Sequence, residues 1–133
     1  MRLNRLGETI KLLSTNLISS FVPSDCSQEE SLLDSMPVIT GSDRGKVAKE
    51  ITDKGFCSPK EIYFYGLKLH ALAFNHPHNL PFPEQFQLTQ ASENDLNLFK
   101  QAWGEIENRT FFGDRIYHDT EYFKDKDFVQ LAD

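Results

Sequence analysis

Two aspartates occupy positions where an ionised side chain is costly. Asp34 lies in the run Leu32-Leu33-Asp34-Ser35-Met36-Pro37-Val38-Ile39. Asp114 follows Thr110-Phe111-Phe112-Gly113 and precedes Arg115-Ile116-Tyr117. A carboxylate among apolar neighbours needs a cation or several hydrogen bonds to offset its lost hydration. If the two segments are adjacent strands, the pair supplies hard oxygen ligands of the kind Mg²⁺ or Mn²⁺ prefers. Ions held roughly 3.5–4 Å apart by such carboxylates assist phosphoryl transfer, one at the attacking oxygen and one at the leaving oxygen. The plainer alternative is that each aspartate is a strand-end or turn residue.

Other chemistry-bearing residues are fewer. Lys68 and His70 share one face of a strand-like run with Phe64, Gly66, Leu72 and Phe74, by the period of two. By themselves they read as a solvated lysine and a hydrogen-bonded histidine on an amphipathic strand. Arg44, Lys46, Lys49 and Lys54 follow the first strand and could contact phosphates, although a charge run is more often a solvated face. His76 and His78 flank Pro77 in a turn and look like surface residues. Ser35 has no His–acid pair in its local sequence, which argues against a nucleophile. No glycine-rich phosphate loop, GxGxxG or HExxH is present.

The elements that must position these residues follow from periodicity. Leu3, Leu6, Ile10, Leu13, Leu17 and Phe21 form one helical stripe, read as ordinary packing, and Pro23 ends it. Ser31 to Thr40 reads as a strand carrying Asp34. Gly41 to Lys60 reads as a loop, or a short helix over Val47 to Ile51. Ile62 to Phe74 is the clearest strand, Asn75 to Asn79 a turn, and Gln85 to Gln90 the return strand of a hairpin. Ser92 caps a helix to about Ile106, with Leu96, Phe99, Trp103 and Ile106 inward. Arg109 to Tyr117 is a further strand, and a helical tail starts at Thr120. The order β, β, β, α, β, α describes an α/β chain with a mixed sheet, flanking helices and a preceding N-terminal helix.

Three stretches in this order carry a family resemblance. Leu33-Asp34-Ser35-Met36-Pro37, Tyr65-Gly66-Leu67-Lys68-Leu69-His70 and Phe112-Gly113-Asp114-Arg115-Ile116-Tyr117 resemble the motifs of DDE transposases from bacterial insertion sequences. The resemblance covers about ninety residues, Leu33 to Phe123. It implies an RNase H-like fold, here incomplete, over residues 31–133, with residues 1–23 as the tail of a missing N-terminal module. It implies metal-dependent cleavage of DNA at transposon ends, then attack of the freed 3′-hydroxyl on target DNA. Asp34 and Asp114 would be the first two acids of the triad, holding Mg²⁺ or Mn²⁺, and Lys68 and His70, on a strand that in related transposases lies beside the first, would point toward DNA phosphate or the metal site. The third, a glutamate on a later helix, has no counterpart: Glu121 follows too closely, and Lys124 to Asp133 contains aspartates only. Asp119 is an alternative second ligand. Two other readings stand beside an impaired transposase domain. One is a non-catalytic remnant that binds DNA or pairs with another transposase chain through an exposed sheet edge. The other is a small nuclease that borrows a third carboxylate from Asp119 or Glu121.

Composition bounds these readings. A chain of 133 residues fits one domain, and 39% hydrophobic residues with eleven Phe, four Tyr and one Trp imply a packed core. The net charge of −6 does not advertise nucleic-acid binding. The acid, however, is concentrated from Glu105 onward, while Gly41 to His70 holds six Lys or Arg against four acids. No run reaches the length of a membrane span and no signal segment opens the chain. Cys26 and Cys57 fit no CxxC spacing, so free thiols and a cytoplasmic location are expected. A homo-oligomer is compatible with all of this.

Overall fold

The computed structural model describes residues 2–42, 53–57, 60–124 and 129–132. Its strands are β1 (Ser27–Ser42), β2 (Asp53–Cys57), β3 (Ile62–Asn75), β4 (Phe82–Gln90), β5 (Arg109–Phe112) and β6 (Val129–Ala132). They form one mixed sheet, five strands across, in an α/β arrangement. β1 pairs antiparallel with β3 and parallel with β5, and β5 pairs parallel with β6. The far edge of β3 is shared: β2 pairs with Ile62 to Gly66 and β4 with Leu67 to Phe74. Ser92, just after β4, binds Asp53 at the start of β2 through both its amide (2.9 Å) and its hydroxyl, which fastens the two segments together.

The hydrophobic pattern of β1 and β3 decides which face is covered. Leu33 and Leu72 sit opposite each other and pack with Phe99, Trp103, Phe111 and Tyr117. Phe99 and Trp103 come from α2 (Asp95–Ala102) and the turn after it, so α2 lies over this face. Phe99 meets Phe111 edge-on with ring centroids 5.1 Å apart. Two polar ties join the periphery to this core. Trp103 Nε1 donates to Gln85 Oε1 at 3.0 Å, and Arg109 pairs with Glu84 at 2.6 Å.

Several expectations are corrected. The helix expected from Ser92 begins later: Asn94 is the cap, its side chain accepting from the Asn97 amide at 3.0 Å, because Ser92 is committed to Asp53. The strand expected to reach Tyr117 stops at Phe112, and Arg115–Tyr117 is a 3₁₀ turn capped by Asp114. β2 was expected as loop, and the tail forms a single helical turn, α3 (Thr120–Phe123), before β6. β6 therefore fills the last place in the sheet, which the sequence pattern left empty. The suggested helix over Val47 to Ile51 lies outside the described residues.

The N-terminal helix also differs. α1 (Arg2–Leu13) passes into a π turn (Ser14–Ile18) and a 3₁₀ turn (Ser19–Phe21). Thr15, Ser19 and Ser20 hydroxyls bond back to carbonyls four residues earlier, and such bonds compete with regular helix geometry. α1 runs along β4, with Gly7 facing the Leu88 carbonyl. Leu6, Leu13, Leu17 and Phe21, expected to pack inward, are exposed at 44–73%.

Candidate functional site

Asp34 and Asp114 converge. The parallel ladder pairs Leu32 with Phe112, and each aspartate stands two residues beyond its member of that pair. Leu33 points into the α2-covered core, so alternation turns Asp34 to the opposite face. There both carboxylates line one open cleft of about 550 Å³ with Leu32, Ala71, Ala73, Pro81 and Phe112. The small side chains of Ala71 and Ala73, on the strand beside Asp34, leave this space open.

Local backbone fixes both carboxylates in a similar way. The Ser35 amide donates to Asp34 Oδ1 and the Ile116 amide to Asp114 Oδ1, each at 2.8 Å. In each case Oδ2 makes no hydrogen bond among the described residues, and both aspartates are exposed. Two exposed carboxylates, each with one oxygen anchored and one available, are a suitable donor set for a hard divalent ion. Among the described residues no group of three or more His, Cys, Asp or Glu side chains gathers where it could hold a metal. Asp119 is engaged elsewhere: it caps α3 and pairs with Lys100 Nζ at 2.7 Å, and that cation holds its carboxyl below the usual range. Glu121 is exposed on α3.

Lys68 and His70 are not in the cleft. They lie on the α2-covered side of β3, opposite Pro37 and Ser35 of β1, and both meet Asp95, the first residue of α2. Lys68 Nζ is 3.0 Å from Asp95 Oδ1 and donates to the Glu93 carbonyl at 2.7 Å. His70 Nδ1 is 3.5 Å from the same Asp95 oxygen, while Nε2 is 2.8 Å from Thr89 Oγ1. His70 is 1% exposed, which removes it from any surface phosphate. Burial, with the Lys68 charge adding to it and Asp95 opposing, pushes its pKa down to about 4. Arg44, Lys46 and Lys49 lie outside the described residues.

Ser35 joins the same cluster from β1: its hydroxyl donates to Asp95 Oδ2 at 2.9 Å. Tyr117 completes it. Its hydroxyl is buried without a hydrogen bond of regular geometry. Burial raises its pKa, the charges of Asp95, Asp114 and Asp34 raise it further, and nearby Ser35 opposes part of the rise. Asp95 was legible only as an acid in a helix first turn, where the helix dipole favours it. Its role as hub needed the packing of α2 on β3. His76 binds Asp25 at 3.0 Å and takes no part.

Among the described residues no helix is long and apolar enough to cross a membrane. Comparison of the chain with protein-family models, with curated proteins and with solved structures finds no match.

Proposed function

We propose that this chain is a DNA-transposition domain of the DDE type, with an RNase H-like sheet and a divalent-metal site at Asp34 and Asp114. The observation that carries the proposal is the register that sets both carboxylates two residues past Leu32 and Phe112, over one cleft. The sheet order supports the fold assignment: three antiparallel places, then two parallel strands beyond β1. The Oδ2 atoms of Asp34 and Asp114 would hold Mg²⁺ or Mn²⁺. When bound, such an ion supplies a Lewis acid for phosphoryl oxygens. The chain's own share is to hold the two carboxylates against the Ser35 and Ile116 amides, so that they need not reorganise. DNA would be the substrate, in a cytoplasm that keeps Cys26 and Cys57 as the free thiols they are.

A second reading, a non-catalytic transposase-derived protein, is favoured by a cleft that holds two carboxylates among the described residues. Calorimetric titration of Mg²⁺ and Mn²⁺ into the wild type, Asp34→Ala and Asp114→Ala separates these readings from an unrelated role. Binding in the wild type that both variants lose supports a shared metal site, and cleavage of duplex DNA by that protein then favours the catalytic reading. Binding without cleavage favours the non-catalytic one. No binding, or binding that survives either substitution, overturns the proposed site.

A further inference from the structure

The hydrophobic stripe of the N-terminal helix is not spent on the sheet. Leu6, Ile10, Leu13 and Leu17 recur at steps of four, three and four, the seam spacing of paired helices. α1 and the π turn after it run along β4, with Gly7 against the Leu88 carbonyl and Ile10 and Ile18 half-buried. Leu6 and Leu17 each precede a residue of that packed side, Gly7 and Ile18, by one position, a rotation of about 100° on a helix. Leu6, Leu13, Leu17 and, a turn further on, Phe21 are consequently left 44% to 73% exposed. The fold uses one side of this helix and leaves its seam uncovered.

We propose that a second copy of this chain covers the seam, helix against helix about a twofold axis, to make a homodimer. Three leucines and a phenylalanine exposed to this degree present roughly 400 Å² of apolar side chain per copy. A standard interface buries about 800 Å² per partner, of which about 500 Å² is apolar in homodimers, so the stripe supplies most of what a stable dimer needs. A seam of leucines is its own complement, as an isologous contact requires. In paired helices the flanking positions select the partner by charge. Here those positions hold Gly7, Thr9 and Asn16, so two identical faces meet without like-charge repulsion and no flanking charge selects a foreign helix. The hydroxyls beside the seam are already bonded within the helix: Thr9 donates to the Arg5 carbonyl at 2.8 Å and Ser20 to the Asn16 carbonyl at 3.0 Å. Covering them leaves no orphaned donor. A membrane surface fits less well, because the net charge of −6 opposes anionic lipid. Nothing in this interface draws on the carboxylate cleft.

The test is sedimentation equilibrium over a range of protein concentrations, with a reducing agent so that Cys26 and Cys57 stay thiols. The average mass of the wild type should rise from that of one chain toward that of two below about 1 mM protein. Leu13→Lys combined with Leu17→Lys should weaken the dimer roughly tenfold or more, as loss of buried anchors does. Leu13→Met combined with Leu17→Met should keep it. Leu80→Lys, at an exposed leucine before β4, should leave it unchanged. Melting curves check that the lysine pair folds, and Leu6→Lys replaces it if it does not. A wild type that keeps the mass of one chain, or association that survives lysine in the seam, overturns the proposal. A wild type that stays single and instead floats with phosphatidylserine vesicles through the same leucines assigns the face to a membrane, which also overturns it.

Discussion

Asp34 on β1 and Asp114 just past the end of β5 each stand two residues beyond the parallel pair Leu32 and Phe112. Each also has Oδ1 tied to a backbone amide of a following residue. The two carboxylates are thus held by main chain rather than by other side chains. Substitution of Asp34 should remove its charge without disturbing β1, whereas Asp114→Ala also removes the cap of the 3₁₀ turn and Asp114→Asn keeps a capping oxygen.

That gives a thermal prediction for the cleft. Ligand that binds only the folded state stabilises it by about 2.7 kcal/mol when present at a hundred times its dissociation constant. Mg²⁺ or Mn²⁺ should therefore raise the melting temperature of the wild type and leave Asp34→Asn and Asp114→Asn unmoved. A rise of equal size in all three proteins would place the ion elsewhere.

His70 sets a pH dependence of stability. Its folded pKa of about 4 lies below the ordinary 6.5, because burial disfavours the imidazolium. Between those values the unfolded chain binds a proton that the folded chain refuses. Stability is then fully present above pH 6.5 and is lost as the pH falls from 6.5 toward 4, by at most about 3 kcal/mol. Denaturant midpoints measured across this range should fall more steeply for the wild type than for His70→Gln.

Asp95 is the carboxylate on which Lys68, His70 and Ser35 converge. Asp95→Ala leaves the Lys68 charge mostly buried without its partner and should cost about 3 kcal/mol. Ser35→Ala removes one hydrogen bond to the same carboxylate and should cost about 1 kcal/mol. Chemical denaturation of both variants and the double variant should show coupling; strict additivity would mean that Ser35 does not feel Asp95.

Tyr117 yields a prediction of opposite sign. Its hydroxyl is buried without a regular hydrogen bond, so the folded state bears its desolvation. Tyr117→Phe keeps the ring against Phe99 and should leave stability unchanged or raise it by up to about 1 kcal/mol. Gly113→Ala should act the other way, since an added Cβ would meet the Tyr117 ring at 2.8 Å. Melting temperatures decide both, and a loss in Tyr117→Phe would reveal a working bond to Ser35.

How much of this was legible depended on how local the cause was. β3 was readable because Ile62-Tyr63-Phe64-Tyr65 and the alternation after it are strand-like in themselves. β2 was not: Asp53-Lys54-Gly55-Phe56-Cys57 has weak strand preference and joins the sheet only because β3 offers it an edge. β6 lies in an acidic tail and depends likewise on β5. The cap moved from Ser92 to Asn94 because a residue 39 positions away claimed Ser92. The two carboxylates could be named from their apolar settings, but their convergence is a matter of strand register, which no local pattern encodes. For Lys68 and His70 the shared face was correctly read and the occupant of that face, α2 with Asp95, was not.

The sheet has one face closed by α2 and another on which the carboxylate pair lies open. Folding consequently constrains alternate residues of the same strands: Leu33 and Leu72 belong to the closed face, Asp34 and Ala71 to the open one. Polar exchange at Asp34 should therefore leave the folded state standing, where the same exchange at Leu33 would open the core.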